Sequence, residues 1–169
     1  IINARGESVC DKPAFRAAMK RRRCLNPADG FYEWQATGKG PKQPFYIHAK
    51  SVEPLAFAGL WETWEGPNGE AVDSAAIVTT RANKVLAPLH DRMPVIIAPD
   101  AFDLWLNCGE VDARTAAIRN LPFAMILPLS GWRVIEMDDS VADRSKGWQR
   151  GRRTRGMLPV LTSSDCIRR

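Results

Sequence analysis

A glutamate hemmed in by aromatic residues is the first group in this chain able to do chemistry. Glu33 lies in Cys24-Leu-Asn-Pro-Ala-Asp-Gly-Phe-Tyr-Glu-Trp34, among Phe31, Tyr32 and Trp34 at the start of a predicted strand. Lost hydration disfavours its charged form, so the carboxyl is expected to titrate above its ordinary range. A raised carboxyl is a means of doing acid or base work near neutral pH. His90 is a second proton carrier, in a loop beside Asp91 and Arg92 just before a buried strand. Locally, a histidine bonded to a backbone carbonyl is the competing reading. Asn3, Arg5 and Glu7 alternate along an apparent strand and so share one face. An amide, a guanidinium and a carboxylate placed together could orient a polar ligand and hold a phosphate. They would equally suit the solvent face of an edge strand. Cys24 has basic neighbours that would activate a thiol, but its place before Leu25 in a strand favours an inert, inward-pointing residue. His48, between Ile47 and Ala49, reads as structural. Most of the six tryptophans should be core, with one or two free to stack on bases at a groove.

The elements that must position these groups follow from local signals. Asp11 is expected to cap a short helix with Pro13 in its first turn and Phe15, Ala18 and Met19 on one face. Gly30 to Gln35, Pro44 to His48, Leu55 to Trp64, Ala75 to Thr80 and Val95 to Ala98 read as strands. Thr37 to Lys42 is a turn, and Gly66-Pro-Asn-Gly69 a hairpin signal. Residues 81–92 form a long loop that ends in His90-Asp-Arg-Met-Pro94. Asp100 and Asp112 are expected to cap helices through Leu106 and Arg119. Strands that precede any long helix argue for an α+β fold: a mixed, largely antiparallel, barrel-like sheet with flanking helices. From about Gly131 the regular apolar spacing fades.

The 169 residues suit one domain with a sizeable core. The net charge of +5 is uneven. Residues 144–169 carry eight Lys/Arg against Asp165, whereas residues 1–143 carry sixteen basic and eighteen acidic groups. The chain therefore divides into a domain over 1–143 and a basic, poorly ordered tail over 144–169. A second basic run, Lys20-Arg-Arg-Arg23, could attract a polyanion through counterion release. No apolar run reaches membrane-spanning length, no signal-peptide pattern opens the sequence, and the four cysteines show no metal-type spacing. A cytoplasmic monomer with no metal, no cofactor and no membrane partner is the simplest expectation. No phosphate-binding loop, dinucleotide fingerprint or nucleophile elbow occurs.

Taken in order, Asn3-Ala-Arg-x-Glu7, Arg23-Cys-Leu-x-Pro-Ala-Asp-Gly-Phe-Tyr-Glu-Trp34, Pro44-Phe-Tyr-Ile47, Ala56-Phe-Ala-Gly-Leu-Trp-Glu62, Ile77-Val-Thr-Thr80 and His90-Asp-Arg-Met-Pro94 closely resemble the SRAP family. These are the "SOS response-associated peptidases" that shield abasic sites in single-stranded DNA. The resemblance runs from Ile1 to about Leu106. It implies a barrel-like α+β fold with a basic groove for single-stranded DNA, and covalent capture of the opened abasic sugar by an N-terminal cysteine as a thiazolidine. Self-removal of the initiator Met exposes that cysteine. The resemblance further implies that Asn3 positions the cysteine and the opened sugar, that Glu33 is the acid–base group, and that His90 promotes ring opening. Arg5 and Arg92 resemble phosphate-gripping arginines, and Thr79 a backbone contact.

Two departures accompany the resemblance. Ile1 stands where the family's Met-Cys-Gly-Arg start and several dozen further residues would come before, so an N-terminal part with the nucleophile is expected to be missing. The family's C-terminal pattern is only echoed by Pro128-Leu-Ser130 and Asp138-Asp139. The expected function is abasic-site processing by a DNA–protein crosslinking or lyase-type enzyme that carries a peptidase name. The alternative is a non-catalytic single-stranded DNA binder that lacks the nucleophile. A literal cysteine peptidase would need Cys24 within reach of His90.

Overall fold

The computed structural model describes residues 2–51, 53–120 and 131–137. The tail over 144–169, the end of the 1–143 domain, Pro128-Leu-Ser130 and Asp138-Asp139 lie outside the described residues. The α+β class holds, with eight strands in two sheets among the described residues rather than one closed barrel. The first sheet has the order β1 (Asn3–Arg5), β6 (Ala71–Arg81), β5 (Leu55–Glu65), β2 (Arg23–Ala28), and β7 (Arg92–Pro94) also pairs with β6. The second contains β3 (Phe31–Gln35), β4 (Gln43–Ala49) and β8 (Trp132–Glu136). Among the described residues only β1 runs parallel to its neighbour, and the other strand pairings are antiparallel.

Local sequence explains most of these boundaries. Gly69 takes the left-handed conformation (φ 86°) that closes the β5–β6 hairpin at low steric cost. Gly30 marks the corner where the chain leaves the first sheet for the second. A Cβ there would lie 2.5 Å from the Ile47 carbonyl oxygen and 2.7 Å from the Tyr46 ring, so only glycine lets β3 approach β4. Asp112 caps α3 (Ala113–Asn120), accepting the Arg114 and Thr115 backbone N–H groups at 2.9 and 3.0 Å.

Other expectations need correction. Lys12, not Asp11, precedes α1 (Pro13–Arg21) and makes no side-chain cap bond; Asp11 instead accepts from Arg114 at 2.8 Å. Asp100 falls inside a 3-10 turn, Pro99–Ala101, and does not cap α2 (Phe102–Leu106). The strand expected over Val95 to Ala98 begins earlier, as β7. Val95 and Ile97 continue it by inserting where β5 and β6 diverge, through bonds to Val78, Ala58 and Ala56. The fading pattern near Gly131 concealed β8, an edge strand whose Val134 and Ile135 are exposed. Its side chains bury too little for their spacing to be read.

The first sheet separates two apolar cores. On one face α1, α2 and α3 pack over Ala4, Met19, Leu25, Leu60, Val78 and Trp105. On the other face Ile47, Phe57, Leu86, Met93, Ile96 and Trp132 fill the space toward the second sheet. Arg23 ties the helical layer to β2. Its guanidinium is 4% exposed and donates to the carbonyls of Trp105, Met19, Asn107 and Val111, at 2.5, 3.0, 3.0 and 2.9 Å. The same group lies 5.8 Å from the Trp105 ring centroid.

This corrects the polyanion reading of residues 20–23. Arg23 is consumed in the core and Arg22 bonds Glu62 at 2.5 Å, which leaves Lys20 and Arg21 exposed at the end of α1, on the helical face. Replacing Arg23 by Met would strand several buried carbonyls. We expect a loss of about 3 kcal/mol in urea unfolding, because donors on a charged group are worth about 1.5–3 kcal/mol each before relaxation. A change below about 1 kcal/mol would show that water re-satisfies those carbonyls.

Candidate active site between the two sheets

Strand alternation decides which side chains enter the space between the sheets. Phe31 packs on the inter-sheet core, so Glu33 and Gln35, at two-residue spacing, share its face. Tyr32 and Trp34 point the other way and join Tyr46 and His48 in a ladder of rings with centroids 5.0–6.3 Å apart. His48 is thus structural, as expected. In the first sheet Asn3 pairs with Ile77 and Arg5 with Thr79, and Ile77 packs on the same inter-sheet core. Asn3, Arg5 and Thr79 therefore line that face, while Ala4 is buried in the helical core. Glu7 does not continue the row: β1 ends at Arg5 and Glu7 lies in a 3-10 turn, Gly6–Ser8.

Glu33 has the expected electrostatics. Burial is the largest influence and pushes its carboxyl above the usual carboxylate range. The His90 charge, the Trp34 backbone N–H and Lys42 pull it back, while Asp91 adds to the rise. A carboxyl from the second sheet and an imidazole from the loop before β7 thus share one electrostatic environment.

That loop is folded by its own polar groups. Asn83 Oδ1 accepts the Val85 and Leu86 N–H groups at 3.0 Å each, and His90 N–H bonds the Leu86 carbonyl at 3.0 Å. At the ring, the Arg92 backbone N–H donates to His90 Nδ1 at 3.0 Å. That bond needs an unprotonated Nδ1, with the neutral ring's proton on Nε2. Nδ1 also lies 3.3 Å from the Arg92 carbonyl oxygen and 3.2 Å from Asp91 Oδ1, acceptors for it in any state in which it carries the proton. The first of these is the backbone-carbonyl contact that competes with a catalytic role for the ring.

Arg92 is the junction between these parts. Its guanidinium grips both oxygens of Glu7 at 2.7 and 2.9 Å and donates to the Thr79 carbonyl at 2.7 Å and to Thr79 Oγ1 at 3.3 Å. The Arg92 contact is the main reason the Glu7 carboxyl is held below its usual range. Arg5 is exposed and makes no side-chain bond among the described residues.

The structure puts Glu33 within electrostatic reach of His90, and Asn3, Arg5 and Thr79 share the face of the first sheet on which Ile77 packs. No side-chain bond joins Asn3 to Glu33 or His90 among the described residues. Sequence reasoning missed Gln35, whose amide donates to the Pro88 carbonyl at 2.9 Å. Its signal was available, since it shares the parity of Glu33 on β3. Cys24 is 2% exposed, and a Cβ built on Gly59 would lie 2.8 Å from its sulfur. That burial closes it to a protein substrate. Among the described residues no group of three His, Cys, Asp or Glu could hold a metal, and no helix is long and apolar enough to cross a membrane.

Two charge changes are measurable. Glu7→Gln should cost about 1 kcal/mol at pH 7, the upper range for a partly exposed bidentate pair. The Glu7 carboxyl is depressed in the fold, so its contribution is present above the unfolded value of about 4.3 and lost as pH falls through the folded value. Glu33→Gln should act oppositely. The folded carboxyl is raised, so its charged form opposes folding at pH 7–8, and the variant should be the more stable there. That advantage should disappear below about pH 4, when both states of the parent are protonated. Urea unfolding at pH 4 and pH 7.5 tests both signs.

Comparison with known sequences and structures agrees with this architecture. The sequence model for "SOS response associated peptidase (SRAP)" matches residues 1–132. The chain is 42% identical over 112 residues to the abasic site processing protein YoqW of Bacillus subtilis, covering 66% of this chain and 50% of that protein. It is 35% identical over 134 residues to the abasic site processing protein HMCES of Xenopus tropicalis, covering 68% and 40%. It thus spans about half or less of the length of these relatives. A crystal structure of a Bacteroides thetaiotaomicron protein superposes with a TM-score of 0.75 at 26% identity, covering 83% of this chain and 60% of that one.

Proposed function

The chain belongs to the SOS response associated peptidase family, and on that premise we propose that it processes abasic sites in single-stranded DNA. Glu33 and His90 are the proton-transfer pair in this reading, and Asn3 orients the sugar and its attacking amine. The observation that carries it is the Glu33 carboxyl, raised by burial and within electrostatic reach of the His90 imidazole on a separate element.

The proposed chemistry uses an N-terminal cysteine, as the family resemblance implies. The imidazolium form of His90 gives a proton to the ring oxygen of the abasic sugar while the C1′ hydroxyl passes its proton to the Glu33 carboxylate, which opens the ring to an aldehyde and leaves His90 neutral and Glu33 protonated. The α-amine, partly neutral because its pKa is about 7.7–8, adds to C1′. Glu33 gives a proton to the departing hydroxyl, so water leaves and an imine remains. The thiol sulfur then bonds to C1′ while its proton passes to nitrogen, which closes a thiazolidine with one water lost overall. Self-removal of the initiator Met, the activity behind the peptidase name, would expose that amine.

Arg5, unpaired among the described residues, is proposed as the principal phosphate contact, with Thr79 beside it in register. Arg92 is already engaged by Glu7, so in this reading it contacts a phosphate only while sharing or exchanging that carboxylate.

The test uses the protein bearing an N-terminal cysteine and a single-stranded oligonucleotide with one abasic site. A heat-stable adduct should form, and Glu33→Gln and His90→Ala should each slow it at least ~10-fold, in line with acid–base contributions of about 10²–10⁴. Arg5→Glu should weaken binding and flatten its dependence on log salt by about one. Equal binding of abasic and intact strands with no adduct would defeat the covalent reading and leave a non-catalytic single-stranded DNA binder.

A further inference from the structure

We propose that Gln35 is a positioning residue that sets the separation of Glu33 and His90. This inference rests on the proton-transfer reading of that pair. Gln35 lies two residues after Glu33 on the same face of β3. Its Nε2 donates to the Pro88 carbonyl at 2.9 Å, and Pro88 lies two residues before His90. One hydrogen bond therefore links the strand that carries the carboxyl to the loop that carries the imidazole, symmetrically about the gap between them.

The need for such a tie follows from topology. Glu33 belongs to the second sheet, whereas the loop over 82–91 connects β6 and β7 of the first. No backbone ladder joins β3 to that loop. On its other side the loop is held by Arg92, whose grip on Glu7 and Thr79 fixes it to the first sheet. Those contacts leave the distance to the second sheet open. Beneath, Leu89 and Phe31 pack on the same apolar core, which sets the height of both elements but not their lateral register. The directional bond from Gln35 supplies that register.

The electrostatics give the clamp a specific readout. The His90 charge is the largest influence opposing the rise of the Glu33 carboxyl. Asp91 on the same loop adds to the rise and Lys42 opposes it, so a loop that drifts from β3 changes several of these influences at once and displaces the Glu33 midpoint. A residue needed only for folding would lower stability without moving that titration.

The experiment compares Gln35→Met, which keeps the stem length but removes the donor, with Gln35→Asn, which keeps a neutral amide donor on a stem one methylene shorter. Glu33 is titrated by NMR without DNA, and adduct formation with the abasic oligonucleotide is measured on the forms bearing an N-terminal cysteine. Gln35→Met should displace the Glu33 midpoint and slow adduct formation about 3- to 10-fold, with strand affinity unchanged within twofold. Gln35→Asn should fall between Gln35→Met and the parent in both readouts. An unchanged Glu33 titration in folded Gln35→Met overturns the proposal. A Glu33 titration displaced in Gln35→Met and less so in Gln35→Asn, together with an unmodified parent protein that forms no adduct, upholds the clamp and counts against the proposed function instead.

Discussion

One guanidinium holds the candidate site in place. Arg92 reaches Glu7 after β1 and Thr79 on β6, while its own backbone N–H fixes the orientation of the His90 ring. Three segments far apart in sequence thus converge on one planar group whose fork matches a carboxylate. Arg92 is half-buried but Glu7 is 47% exposed, so solvent still screens the pair in part. The same engagement limits what Arg92 can do for a ligand, because an anion must compete with a carboxylate already bound at two points. Arg5 has no such competitor among the described residues, where it is exposed and makes no side-chain bond.

A second arginine does comparable work on the opposite face of the sheet. Arg23 satisfies four carbonyls from α1, α2 and the segment leading into α3, and no carboxylate of the described residues pairs with it. A carboxylate could not do this, since only a multi-donor cation can bond several carbonyl oxygens at once. The helical layer is therefore anchored to β2 independently of the site. Two apolar cores on the two faces of one sheet let the site face remain polar while the helical face supplies packing.

The inter-sheet space combines conditions that oppose each other. Glu33 loses hydration beside Phe31 and Phe45 and is driven toward its neutral form, while His90 draws it back toward the carboxylate. A group under such opposed influences can exchange a proton in response to small changes nearby. On the first sheet Asn3 and Arg5, which share the parity of Ile77 and Thr79, are exposed.

How much of this could be read from residues alone varied by element. The central strands, the Gly66–Gly69 hairpin and the Asp112 cap announced themselves because each depends on neighbours in sequence. The inward Cys24 and the raised Glu33 also followed from local burial. Asp11 and Asp100 misled, because a capping residue type next to a helix says nothing of the partner that competes for it, here Arg114 for Asp11. Strand β8 escaped because Trp132 is its one buried residue, and a single buried position sets no spacing to read. The basic run at 20–23 looked like one patch, yet burial divided it among a core clamp, an ion pair and two surface charges. Sequence by itself determined the periodicities, the turns and the chemical types at the site, since these are short-range properties of the chain. Only the tertiary structure decided which groups meet: that Glu7 engages Arg92, that Gln35 reaches Pro88, and that Glu33 lies within electrostatic reach of His90. Those encounters depend on how two sheets stack across an apolar core, and the free energy of that stacking is a property of the whole chain rather than of any segment.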